Sequence, residues 1–90
     1  MRKKICIIGL GYIGLPTAAM FATHGYEIVG VDINKKVVDA LNRGEITIYE
    51  PYLDIMVHAA VTSGNLRGSC LPEEAEAFII SVPTPITSEK

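Results

Sequence analysis

The sequence is poor in cysteine: Cys6 and Cys70 are its two, they lie far apart, and they match no metal-ligand spacing. Cys6 falls within an apolar run, where a free thiol behaves as a small hydrophobe. Excess positive charge is also missing. Eight Lys and Arg stand against ten Asp and Glu, for a net charge of −2, and no face gathers basic residues. This excludes a nucleic-acid footprint. The pairs Lys3-Lys4 and Lys35-Lys36 flank predicted elements and read as solvated ends. A long unbroken hydrophobic run is absent too, because glycines and a proline interrupt the apolar stretch from Ile5 to Phe21, which excludes a membrane span. No cleavage pattern follows a long apolar region, so no signal peptide is expected and the chain reads as cytoplasmic. There is no internal repeat, low-complexity tract or linker. No triad, carboxylate pair or metal-ligand cluster is spaced for chemistry, so no catalytic and no metal-binding residue is expected in this stretch.

What is present is a globular composition, with 49% hydrophobic and 20% charged residues, in a length of 90 that allows one small domain. A chain of this size leaves roughly 40% of its unfolded surface exposed, so its stability is modest. Ile5-Cys6-Ile7-Ile8 is a continuous apolar run suited to a parallel strand buried on both faces. Ile13, Thr17, Met20 or Phe21, and His24 recur at helical spacing, with Ala18, Ala19 and Ala22 between them, and Gly25 follows as a helix stop. "EIVGVD", 27–32, reads as a second strand. Asn34 is placed to cap a second helix carrying Val37, Val38 and Leu41, which Gly44 stops. "EITIYEPY" reads as extended. Pro51 suits the first turn of a third helix, whose apolar positions are Leu53, Met56, Val57, Ala60 and Val61. Residues 66–70 suit a short strand, 72–76 a polar or single helical turn, and 77–82 another buried strand. The order predicts an α/β fold: a Rossmann-like parallel sheet with flanking helices, comprising the first half of a dinucleotide-binding domain. The chain stops a few residues after its last strand-like run, so residues 1–90 are expected to be a cut through a larger domain.

Three glycines sit where hydrophobicity is highest, in "GLGYIG". A lone G-x-G-x-x-G is weak evidence, but here a strand ends at Gly9 and a helix starts by Ile13, the context the motif requires. Gly9 permits the turn, Gly11 lets a pyrophosphate approach the backbone, and Gly14 lets helix pack on strand. The helix N-terminus then offers unpaired N–H groups to the phosphates. Pro16 is tolerated in the first turn, where a missing N–H costs little.

Asp32 closes the second strand, eighteen positions after Gly14, where a carboxylate accepts the hydroxyls of an adenosine ribose. A 2′-phosphate would meet a like charge there, so NAD is expected over NADP; Lys35 and Lys36 soften that preference. "SVPTP", 81–85, follows the strand that should lie beside the first across the switch point of the sheet. Pro83 and Thr84 are therefore expected to face the same cleft. His24, at a helix end, and His58, beside an apolar stripe, read as structural or surface residues.

"GLGYIGLPTA", "GVDIN", "GEITIYEP" and "VPTP" together resemble the UDP-glucose/GDP-mannose dehydrogenase family in order and approximate spacing. Within that family, "NRGEITIYEPYLD" and "VTSGNLR" are most similar to the members acting on UDP-N-acetylmannosamine. The resemblance implies that Tyr12 and Ile13 line the pyrophosphate, that Asp32 holds the ribose, and that Thr84 touches NAD from the opposite wall. It also implies that the loop at Glu50-Pro51 lies near the cofactor. Many relatives have Gly where this chain has Tyr52, so the geometry of that loop is an open question. Such enzymes oxidise a sugar C6 alcohol to a carboxylate by two hydride transfers to two NAD, through a cysteine-bound thiohemiacetal and thioester. Neither Cys6 nor Cys70 matches that cysteine. These residues alone are therefore expected to bind cofactor weakly or not at all, and not to turn over.

Rival readings are another UDP-sugar substrate such as UDP-glucose, a non-catalytic NAD-sensing domain, a flavoprotein, a 3-hydroxy-acid dehydrogenase, and a flavodoxin-like glycine turn with no ligand. A half-built sheet exposes an edge strand, so a dimer or higher homo-oligomer is expected.

Overall fold

Three short apolar segments and the more polar Leu66-Arg67-Gly68-Ser69 build the sheet. A computed structural model describes residues 3–81. Its elements are β1 (Lys4–Ile8), α1 (Gly14–Thr23), β2 (Glu27–Val31), α2 (Lys35–Asn42), α3 (Leu53–Thr62), β3 (Leu66–Ser69) and β4 (Ala77–Ile80). The sheet order is β3-β2-β1-β4, and every pairing is parallel. This is the Rossmann-like arrangement expected, with β4 beside β1 on the side away from β2.

The two faces of the sheet have different covers. Ile5 and Ile7 of β1, Ile28 of β2 and Leu66 of β3 join the main core with residues of α1, α2 and α3. On the opposite face Cys6, Val29 and Val31 form a smaller cluster, against which Ile8 and Ala75 pack. Ala75 belongs to the crossover from β3 to β4, which passes over this second face. β1 is thus buried on both sides, with Cys6 and Ile7 fully enclosed. Burial of each such aliphatic side chain contributes about 1.5–3 kcal/mol.

Several sequence-based expectations need correction. The fully buried residues of α1 are Gly14, Leu15, Ala18, Ala19 and Ala22; of the larger residues at the predicted spacing, Phe21 packs against the core from a partly exposed position. Ile13 is 72% exposed, and Met20 also faces outward. Small side chains let α1 approach the sheet closely, so size outweighed hydrophobicity in choosing the face. The segment 45–52 pairs with no strand; Ile46 and Ile48 pack on the core from a loop instead. Pro51 lies in a turn before α3, whose N-cap is Tyr52. The segment 72–76 contains no helical turn. β2 ends one residue early, leaving Asp32 just beyond it.

β4 is not a buried strand. Phe78 is 52% and Ile80 71% exposed, because they pair with Cys6 and Ile8 on the second face, beyond the cover that Ala75 supplies. Lys4 is not a purely solvated end either. Its Nζ lies 3.0 Å from Glu73 Oε1, and Glu73 Oε2 also accepts from Arg67 Nη1 at 2.7 Å. These bonds, from Arg67 first and then Lys4, hold the Glu73 carboxyl down at about 2. Lys4 starts β1 and Arg67 lies in β3, so Glu73 ties the crossover to both.

Candidate functional site

The turn out of β1 is shaped by what glycine permits. Gly9 takes φ 101°, a left-handed conformation that side-chain-bearing residues rarely adopt, and its N–H donates to the Val31 carbonyl at 2.7 Å. A Cβ on Gly14 would collide with the carbonyl of Gly9, so α1 can begin this close to the strand only without a side chain there. Gly11 differs from both. It has no positive φ, and a Cβ added to it would meet none of the described residues within 4 Å. Nothing among the described residues demands glycine at this position. The open space above it is what remains to explain the residue.

That space opens into a cavity of about 700 Å³. Gly9, Leu10 and Gly11 form one wall, Asp32, Ile33 and Asn34 another, and Lys36 and Val37 extend it along α2. Thr47 and Ile48 close the rim from the loop before α3. The Asp32 carboxylate is fixed at the junction: Oδ2 accepts from Leu10 N at 3.0 Å and Oδ1 from Asn34 N at 2.9 Å. A carboxylate has about four acceptor sites, so two remain for hydroxyls in the cavity. Ile13, the N-cap of α1, supplies no side-chain cap, and the first turn carries no acidic residue. The positive end of that helix is therefore not neutralised from within its own turn. Open space, spare acceptors and an uncapped helix start are the features a dinucleotide requires, and the residues present fit NAD.

β4 flanks β1 on the side away from this cavity. Ser81 N donates to the Ile8 carbonyl at 2.7 Å, and Ser81 Cβ would lie 3.4 Å from a Cβ on Gly14. The chain thus leaves β4 directly beside the glycine turn, at the switch point where β1 separates β2 from β4. Pro83 and Thr84 lie outside the described residues. Tyr12 and Ile13 are exposed at the start of α1.

Three contributors were not legible in the sequence. Leu10 supplies the N–H that orients Asp32 while its buried side chain covers Gly30, yet its type carries no motif signal. Thr47 and Ile48 reach the cavity from a loop whose alternation reads only as an extended run. The histidines stand apart from the site. His24 Nδ1 donates to the Met20 carbonyl at 2.9 Å, and His58 lines a separate surface hollow with Gly44, Ile46 and Asp54. Among the described residues, no three His, Cys, Asp or Glu are grouped to hold a metal ion, and no helix is long and apolar enough to cross a membrane.

Comparison with known proteins places this geometry. The profile of the UDP-glucose/GDP-mannose dehydrogenase family, NAD binding domain, matches residues 3–90. The chain is 58% identical over 87 residues to a UDP-N-acetyl-D-mannosamine dehydrogenase of Campylobacter jejuni, covering 97% of this chain and 21% of the relative. It is 52% identical over 88 residues to an NDP-N-acetyl-D-galactosaminuronic acid dehydrogenase of Ralstonia nicotianae, covering 98% and 21%. The native structure of the UDP-N-acetyl-mannosamine dehydrogenase from Staphylococcus aureus superposes with a TM-score of 0.92 at 48% identity, covering 96% of this chain and 21% of that one. The chain therefore spans about a fifth of the length of the relatives it matches.

Proposed function

The chain belongs to the UDP-glucose/GDP-mannose dehydrogenase family, matching its NAD-binding domain, and on that premise we propose that it is the cofactor-holding N-terminal part of a UDP-N-acetylmannosamine 6-dehydrogenase. In this reading Gly9, Gly11, Tyr12, Ile13 and Gly14 receive the diphosphate of NAD. Asp32 accepts the adenosine ribose hydroxyls, and Pro83 and Thr84 approach from the other side of the cleft. Bound NAD supplies the hydride acceptor. The observation that carries the reading is the unfilled space over Gly11 beside a carboxylate held by Leu10 and Asn34.

The intact enzyme would oxidise the sugar C6 alcohol to the uronate with two NAD, using catalytic residues that lie outside these ninety. It would work in the cytoplasm as a homo-oligomer. Relatives at 58% and 60% identity bearing the mannosamine name support that sugar. The galactosaminuronic relative at 52% keeps a second sugar in contention. A panel of UDP-N-acetylmannosamine, UDP-N-acetylgalactosamine and UDP-glucose, offered to the intact dehydrogenase with NAD, separates them. The expected result is fastest turnover of the mannosamine substrate with two NADH formed per sugar. Preference for UDP-glucose, or one NADH per sugar, would contradict it.

A further inference from the structure

The first turn of α2 carries two lysines and no acidic residue, at the end of a helix where its dipole disfavours cations. The structure gives the two different surroundings. Lys35 Nζ lies 3.0 Å from Asp39 Oδ2, one turn along the same helix, and that pair offsets its unfavourable position. Lys36 instead lines the cavity that Asp32, Asn34 and the glycine turn enclose. Among the described residues its ammonium forms no ion pair or hydrogen bond. Asp32 is held by two backbone donors and is not free to swing toward Lys36. One fixed negative charge and one positive charge on a flexible stem therefore share the corner of the cavity.

Resting on the reading of this cavity as the site of the adenosine ribose, we propose that Lys36, and not Lys35, sets how strongly the domain discriminates against NADP. A 2′-phosphate is repelled by Asp32 and partly neutralised by Lys36, so NAD is preferred by less than the carboxylate alone would impose. A 2′-hydroxyl brings no charge to this corner and gains little from the lysine.

The test is calorimetric titration of the intact dehydrogenase with NAD and with NADP, for the wild type, Lys35→Ala, Lys36→Ala and Lys36→Met. The last variant keeps the apolar stem, and circular dichroism reports whether each variant stays folded. An exposed charge pair is worth about 0.2–1 kcal/mol, so both Lys36 variants should weaken NADP relative to NAD by up to about fivefold and change the salt dependence of NADP binding. Lys35→Ala should change neither. NAD binding with an unaltered NADP-to-NAD ratio in the Lys36 variants, or an equal effect of Lys35→Ala, overturns the assignment while leaving the cavity reading intact. Binding of neither nucleotide to the folded intact protein overturns both.

Discussion

Tyr52 holds its backbone at φ 66° immediately before α3, and it is the one non-glycine residue among those described with a positive φ. Its ring is 75% exposed and so returns little packing for that conformation. The left-handed region costs a side-chain-bearing residue about 1–2 kcal/mol, and the family resemblance implies glycine here in many relatives. Tyr52→Gly is therefore expected to raise stability by about 1 kcal/mol, a rise in Tm of about 4–8 °C for a domain of this size; an unchanged or lower midpoint in thermal unfolding would refute the strain. At Gly14 the sign reverses. Gly14→Ala forces a Cβ into the Gly9 carbonyl, and should cost at least about 2 kcal/mol in denaturant unfolding, as overpacking does. Residue by residue, legibility followed steric uniqueness. Gly9, Gly14 and Asp32 were readable because few residue types can do what those positions need. Leu10 was not, because its contribution is a backbone N–H that any residue carries.

Among the elements, β1, β2 and α3 were recoverable from periodicity because their burial follows hydrophobicity. α1 was recovered in part: Phe21 packs on the core as the spacing suggested, but Ile13 and Met20 face outward because a helix laid close to a strand end buries mainly small residues. β4 was assigned the wrong burial. Its sequence is as apolar as that of β1, and only the sheet order shows that Phe78 and Ile80 lie past the crossover's cover. The crossover itself carries a pH-dependent tie. Glu73 is held well below its ordinary value of 4.5, to about 2, by hydrogen bonds from Arg67 and Lys4. A depressed folded-state carboxylate contributes stability that is complete above its ordinary value and lost as pH falls through the folded one. Thermal midpoints should therefore drop between about pH 4.5 and pH 2. Glu73→Gln should flatten part of that drop while lowering the midpoint at neutral pH; an identical acid profile in the variant would remove Glu73 from the account.

At the scale of the whole molecule, three helices cover one face of the sheet, and a short crossover covers part of the other. Phe78, Ile80 and Leu71 are left exposed along the second face and the free side of β4. Long apolar edges promote pairing with further copies, so the 90-residue chain is expected to elute above monomer mass at high concentration. Ile80→Lys should shift it toward monomer without changing its circular dichroism. A monomer for the unaltered chain at every concentration would count against the edge as a sticking surface. The architecture was readable as a whole because strand and helix periods alternate and the glycine turn fixes where the chain enters α1. The rim from Thr47 and Ile48 was not, since alternation in this segment reads as an extended run while its place is set by the packing of Ile46 and Ile48 on the core.

The central claim is that the space over Gly11 belongs to a diphosphate. Its most direct test is the NAD affinity of Gly11→Ala, measured by calorimetry on the intact dehydrogenase beside the thermal midpoint of the same protein. Because an added Cβ meets no atom of the described residues within 4 Å, the midpoint should stay within about 2 °C of wild type. NAD binding should weaken by at least about tenfold, equivalent to about 1.4 kcal/mol. Wild-type affinity in a fully folded Gly11→Ala protein would contradict the claim.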